Sequence, residues 1–89
     1  RGKNTYEIDL VALNEKTRQI LFCECKWQNK LVDVDVLRSL IDKSRLVDWY
    51  NMERSEYFMV VSKSGFTEQA RKFAEKHDFM LYTLADMQT

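Results

Sequence analysis

The chain has 89 residues, 45% of them hydrophobic, which points to one folded domain with a thin core and argues against disorder. Fourteen Lys and Arg balance fourteen Asp and Glu; the zero net charge argues against a high-affinity, non-specific nucleic-acid binder and leaves room for a local basic rim around an acidic site. No apolar run approaches the ~18 residues of a membrane helix, and no signal-peptide pattern opens the chain, so no membrane partner is expected.

Residues 6–13, YEIDLVAL, alternate with a period of two and predict a strand, Ile8, Leu10 and Ala12 on one face and Glu7, Asp9 and Val11 on the other. Asn14 to Arg18 is polar and reads as a hairpin loop. A second strand follows over 19–27, QILFCECKW, with Leu21, Cys23, Cys25 and Trp27 on one face and Ile20, Phe22, Glu24 and Lys26 on the other. Its apolar first half suggests a central place in the sheet. Cys23 and Cys25 are too close along the chain for an easy disulfide and lack CxxC spacing; they are read as buried thiols, which fits a reducing cytoplasm.

Asp33 or Asp35 caps a helix expected to reach about Tyr50, with Val36, Leu37, Leu40, Ile41, Ser44 and Val47 as its buried stripe. Asn51 to Glu56 turns the chain. Residues 57–61, YFMVV, predict a buried third strand ended by Ser62 to Gly65. Thr67 caps a second helix with Ala70, Phe73, Ala74 and His77 inward, and residues 79–84, FMLYTL, form a fourth strand. The order β–β–α–β–α–β predicts an α/β fold: a hairpin, then helical crossovers that make parallel neighbours, giving a mixed four-stranded sheet covered by helices.

Charges inside apolar strands need a reason. Asp9 interrupts the first strand, and Glu24 and Lys26 share a face of the second. Buried carboxylates cost free energy unless paired or bound to a cation, and two that share a site repel unless a divalent ion relieves them. Oxygen ligands suit a hard ion, Mg²⁺ or Mn²⁺, which polarises a phosphodiester oxygen and acidifies a bound water; a nearby lysine holds that water or stabilises charge on phosphorus. The alternative is a ladder of solvent-facing cross-strand charges.

EIDLVAL, a short turn and ILFCECKW resemble the hairpin of the PD-(D/E)xK nuclease superfamily, which includes restriction endonucleases and archaeal Holliday-junction resolvases. KSGFTEQARKFAEKHDFMLYTLADM resembles the tail of restriction-endonuclease-like domains, above all the domain of unknown function that ends many archaeal and bacterial P-loop ATPases. The resemblance implies a restriction-endonuclease-like core over residues 1–89, a single nuclease-fold domain. It implies catalytic Asp9, Glu24 and Lys26, a metal held by Asp9, Glu24 and the carbonyl of Cys25, and DNA as substrate. It departs from the family in lacking an N-terminal helix that usually adds a Glu, a role Glu7 could partly fill, and in having Ile8 where Pro commonly stands. The chain opens on Arg1 rather than Met, read as the start of a domain cut from a longer protein. No P-loop is present, so any ATPase would be a fused or partner domain.

The expected function is metal-dependent hydrolysis of DNA phosphodiesters. The alternative is a non-catalytic module of a P-loop ATPase that binds nucleic acid or a partner; a purely structural homodimer is a third reading. Trp27 is expected as a packed edge residue, Lys43 as a solvated helix lysine rather than a phosphate contact, and Lys63 as a loop lysine. His77 is expected as a part-buried helix-end residue rather than a general base. Trp49 and Tyr50 are read as core or partner interface.

Overall fold

The computed structural model describes residues 8–87. They form β1 (Leu10–Asn14), β2 (Gln19–Lys26), α1 (Val34–Ser44), β3 (Ser55–Ser62), α2 (Glu68–His77), β4 (Phe79–Thr83) and α3 (Leu84–Met87). Tyr6 and Glu7, assigned from sequence to the first strand, lie outside the described residues.

The four strands make one sheet in the order β1-β2-β3-β4, with β1 antiparallel to β2 and the other two pairs parallel. This is the mixed α/β sheet expected from the alternation of strand and helix patterns. The hairpin turns where Asn14 Oδ1 accepts from the amides of Lys16 (3.1 Å) and Thr17 (3.3 Å), and Arg18 takes a left-handed φ of 54°.

One face of the sheet is packed. Ile20 and Phe22 of β2, Val60 of β3 and Phe79 of β4 form a core with Leu37 and Leu40 of α1 and Ala70 and Ala74 of α2. The α1 stripe is as the periodicity predicts, with Leu37, Leu40 and Ser44 buried and Val36, Ile41 and Val47 half-buried. On α2, Ala70 and Ala74 are buried and Phe73 half-buried; His77 is exposed, its ring against Phe73 at 4.2 Å between centroids, which corrects its expected inward position.

Three other expectations are corrected. The first strand begins at Leu10, and all five of its residues are exposed. It pairs only with β2 at the sheet edge, beside rather than beneath the helices, so its alternation buries neither Leu10 nor Ala12. Next, α1 stops at Ser44, six residues short of Tyr50. The cause lies further along the chain. The side chain of Arg54, only 2% exposed, donates to the carbonyls of Ser44 (2.8 Å), Val47 (2.7 Å) and Trp49 (2.9 Å), taking up carbonyls that a longer helix would have paired internally. Last, β4 ends at Thr83, because Thr83 and Asp86 cap α3 reciprocally: Thr83 N donates to Asp86 Oδ2 (2.8 Å) and Asp86 N to Thr83 Oγ1 (3.3 Å).

No helix among the described residues is long and apolar enough to cross a membrane.

Candidate functional site

The side chains of β2 alternate strictly, so Glu24 and Lys26 continue the helix-facing row begun by Ile20 and Phe22. Glu24 lies opposite Val60 and Lys26 opposite Ser62 in the parallel ladder, near the carboxyl ends of both strands, the end of an α/β sheet where ligands usually bind. Over this end lies α1, which presents Asp35, Ser39 and Lys43 at four-residue steps and therefore on one stripe. Glu24, Lys26, Asp35, Val36, Ser39 and Lys43 line a cleft of about 150 Å³. A wider groove of about 570 Å³ shares Lys26 and Asp35 with it and runs past Lys30 to Thr67. A hollow of about 330 Å³ at the hairpin end, between Leu13, Leu21, Tyr57 and Met80, has no carboxylate, imidazole or ammonium in its lining, whereas the smaller cleft has two carboxylates and two ammonium groups.

Glu24 is 6% exposed. Lys43 Nζ stands 3.7 Å from its Oε1 and Lys26 Nζ 3.7 Å from its Oε2. Both separations make ion pairs but exceed hydrogen-bonding distance, and Oε1 is buried without a hydrogen-bond partner. Lys43 is thus drawn under the helix, its side chain 21% exposed, instead of standing free in solvent. Sequence reasoning named it but set it aside, because its partner lies in a strand nineteen positions away; the four-residue step from Asp35 through Ser39 was the signal that could have placed it.

Asp9 is exposed and sits in a bend just before β1, not mid-strand as its alternation suggested. The ladder begins with Leu10 opposite Cys23, and beyond it the Asp9 side chain replaces the strand: Oδ2 accepts from the Cys25 amide at 2.8 Å. A strand residue turns its N–H and C=O to the same side, so the Cys25 carbonyl lies on this edge of β2 as well. Asp9 and the Cys25 peptide therefore share one edge, while Glu24 and Lys26 face α1 one residue to either side. Asp9 does not line the Glu24 cleft.

Among the described residues, no three His, Cys, Asp or Glu side chains converge to hold a metal ion by themselves. The donor set fits a hydrated hard cation, since Mg²⁺ commonly takes one or two carboxylates and keeps several waters. The unsatisfied Glu24 Oε1 is the atom that invites such an ion; Lys26 and Lys43 compete with it for the same carboxylate.

The surrounding loops are stitched together. Lys63 N donates to Lys26 O (3.0 Å), Ser64 Oγ to Gln28 O (2.7 Å), and Val32 N to Gly65 O (2.9 Å). Lys63 is exposed, as a loop lysine should be, and its ammonium donates to Asn29 Oδ1 at 3.1 Å. Trp27, just past β2, is 57% exposed rather than packed. Trp49 packs against the core; Tyr50 is exposed beneath the Arg18 guanidinium.

The two cysteines differ. Cys23 is buried as expected, and Cys25 is exposed, because the row it shares faces away from the helices and lies near the open end of the strand. Burial, and next the neighbouring Cys25, push the Cys23 thiol from its ordinary 9.0 up to about 11.

Residues 2–44 match the model of a family, DUF234, described as archaeal and bacterial proteins of unknown function. An uncharacterized protein of Methanocaldococcus jannaschii, MJECL04, is 37% identical over 83 residues, which are 90% of this chain and 17% of that protein. The chain thus spans about a sixth of its relative's length. No solved structure matches it.

Proposed function

We propose that this chain is a nuclease-fold domain that hydrolyses DNA phosphodiesters with Mg²⁺ or Mn²⁺, using Asp9, Glu24, Lys26 and the Cys25 carbonyl. The observation that carries the reading is the buried Glu24 carboxylate with an unsatisfied oxygen, beside Lys26 and one residue from the peptide that Asp9 holds. A buried carboxylate costs stability unless it is paired, hydrogen-bonded or bound to a cation, and here the ion pairs stand beyond hydrogen-bonding distance. The finer fold assignment, a restriction-endonuclease-like core, belongs to the same proposal and rests on the motif resemblance and on the mixed sheet.

Each residue has a task. Asp9, anchored on the Cys25 amide outside the Glu24 cleft, would bring its carboxylate from the neighbouring strand edge beside the Cys25 carbonyl. Glu24 supplies the second carboxylate from a rigid, buried strand position. Lys26 can orient water or neutralise charge building on the phosphate. A bound divalent cation would supply Lewis acidity and a more acidic water.

The test is direct. Mn²⁺ binding should be lost in Asp9→Ala and Glu24→Ala, and cleavage of plasmid or branched DNA should be lost in Lys26→Ala. Wild-type protein that binds no divalent ion and cuts no DNA would end the reading.

One observation favours the second reading, a non-catalytic module of a P-loop ATPase that binds nucleic acid or a partner. Both Glu24 oxygens already face an ammonium, so the carboxylate is neutralised without a metal. Metal-independent DNA binding without cleavage is its signature.

A further inference from the structure

We infer that Lys43, opposite Lys26 across Glu24, is a second phosphate-binding cation of this cleft, restrained by Glu24 until an anion or a metal takes over one of the partners. The inference deepens the reading above and rests on the substrate being a phosphodiester.

Two ammonium groups flank one carboxylate, each at 3.7 Å from a different oxygen. Neither hydrogen-bonds that carboxylate, so each retains donors for a ligand. Lys43 is aimed here by the geometry of α1, since the stripe Asp35, Ser39, Lys43 faces the end of β2 and lines the same cleft. The cleft, at about 150 Å³, is large enough for several waters or a phosphoryl group. A phosphate oxyanion entering between the lysines would give each a charge-assisted hydrogen bond that Glu24 does not give. A cation on Glu24 has the complementary effect: it displaces the ammonium groups from the carboxylate and leaves them for phosphate. Lys43 therefore opposes metal binding and favours phosphate binding.

That pair of opposite signs separates this role from a structural one. A lysine that merely holds α1 to β2 would, when removed, weaken every ligand together.

The experiment uses the full chain, a fluorescent eight-nucleotide single strand in EDTA followed by anisotropy, and Mn²⁺ followed by electron paramagnetic resonance. Lys43→Gln should weaken oligonucleotide binding about fivefold and lower the salt slope by roughly 0.7, the loss of one phosphate contact on a single strand. The same variant should bind Mn²⁺ several-fold tighter. Lys43→Arg should keep the oligonucleotide affinity, Glu24→Gln should raise it, and Lys72→Gln, on an exposed lysine of α2, should change neither ligand beyond a general charge effect. If Lys43→Gln does not fold, the double variant Glu24→Gln, Lys43→Gln removes both members of the buried pair, and it should bind the oligonucleotide more weakly than Glu24→Gln alone.

Unchanged oligonucleotide affinity in Lys43→Gln, or Mn²⁺ and oligonucleotide weakened together, overturns the proposal. The two readings fail separately. Metal-independent oligonucleotide effects with no Mn²⁺ binding would sink the metal-dependent nuclease and leave Lys43 its role. Metal-dependent cleavage with Lys43→Gln indistinguishable from wild type would do the reverse.

Discussion

Thr67 Oγ1 donates to Asp33 Oδ1 across 2.8 Å, so the N-cap of α2 hydrogen-bonds the N-cap of α1. The same hydroxyl accepts from the Ala70 amide at 3.1 Å, and Asp33 accepts from the Val34 amide at 2.7 Å. One contact therefore fixes where both helices start, and with them the first turn of α1 that carries Asp35 into the cleft.

The Thr67 hydroxyl, and then the Val34 amide, hold the Asp33 carboxyl below its usual range. A depressed folded pKa gives stability that is present above the ordinary carboxylate value and is lost as pH falls through the folded one. Thr67→Ala should cost about 1 kcal/mol, the usual worth of a threonine cap, and let Asp33 titrate higher. Carboxyl carbon NMR would follow that titration, and an Asp33 curve unmoved by Thr67→Ala would show the caps to be independent. Thr67→Ser should restore both.

Arg54 invites a harsher prediction. Its guanidinium is nearly inaccessible, pairs with Glu56 at 2.8 Å and serves three main-chain carbonyls after α1. Arg54→Met removes three hydrogen bonds and leaves Glu56 unpaired; Ser44 O keeps the Val47 amide and Val47 O the Asn51 side chain, so Trp49 O is the acceptor that loses its donor, and urea unfolding should show a loss of about 2 kcal/mol. Arg54→Lys should recover little, since an ammonium lacks the planar fork that reaches all three. Full stability in Arg54→Met would mean that water replaces the guanidinium without cost.

The same arginine shows where sequence reasoning stops. Element order through β4, the Thr67 cap, the first cap to within Asp33 or Asp35, and the Leu37–Leu40–Ser44 stripe were legible, because hydrophobic period and capping chemistry are local. That Glu24 and Lys26 share a face was legible for the same reason, as strand alternation fixes it. The end of α1 was not, because Arg54 acts from ten residues away on Ser44. The exposure of β1 depends on its place at the sheet edge, and the approach of Lys43 to Glu24 depends on how α1 lies over β2; both are tertiary facts without a local signal. Asp9 fell between the two: its interruption of an apolar stretch was visible, but its departure from the ladder just before Leu10, outside the Glu24 cleft, could not be read from alternation.

The cysteines should separate chemically. Cys25 is exposed, whereas the Cys23 thiol is buried and pushed up to about 11. Iodoacetamide at pH 8 should label Cys25 well before Cys23, as mass spectrometry of tryptic peptides would show. A raised folded pKa contributes stability that is complete below the ordinary 9.0 and is lost as pH climbs towards about 11. Thermal melts should therefore fall across that window, and Cys23→Ala should flatten the fall. Equal labelling of both thiols in native protein would contradict the assigned burial.

Glu24 offers the sharpest division between stability and chemistry. Its carboxylate is buried, one oxygen lacks a hydrogen bond, and both lysines beside it retain some access to water. Removing one member of a buried ion pair is costly when it strands the other's charge, but Lys26 and Lys43 both reach water and can resolvate once Glu24 is gone. Glu24→Met should thus unfold in urea within about 1 kcal/mol of wild type, with Met packing beside Phe22. Removing the lysines instead leaves the carboxylate buried and alone, so Lys26→Met, Lys43→Met should lose about 3 kcal/mol. A loss of that size in Glu24→Met itself would show that the carboxylate is kept to hold α1 on β2. The asymmetry expected here has a different meaning: the fold can spare Glu24 but not orphan it, which is what the proposed binding role of this carboxylate requires.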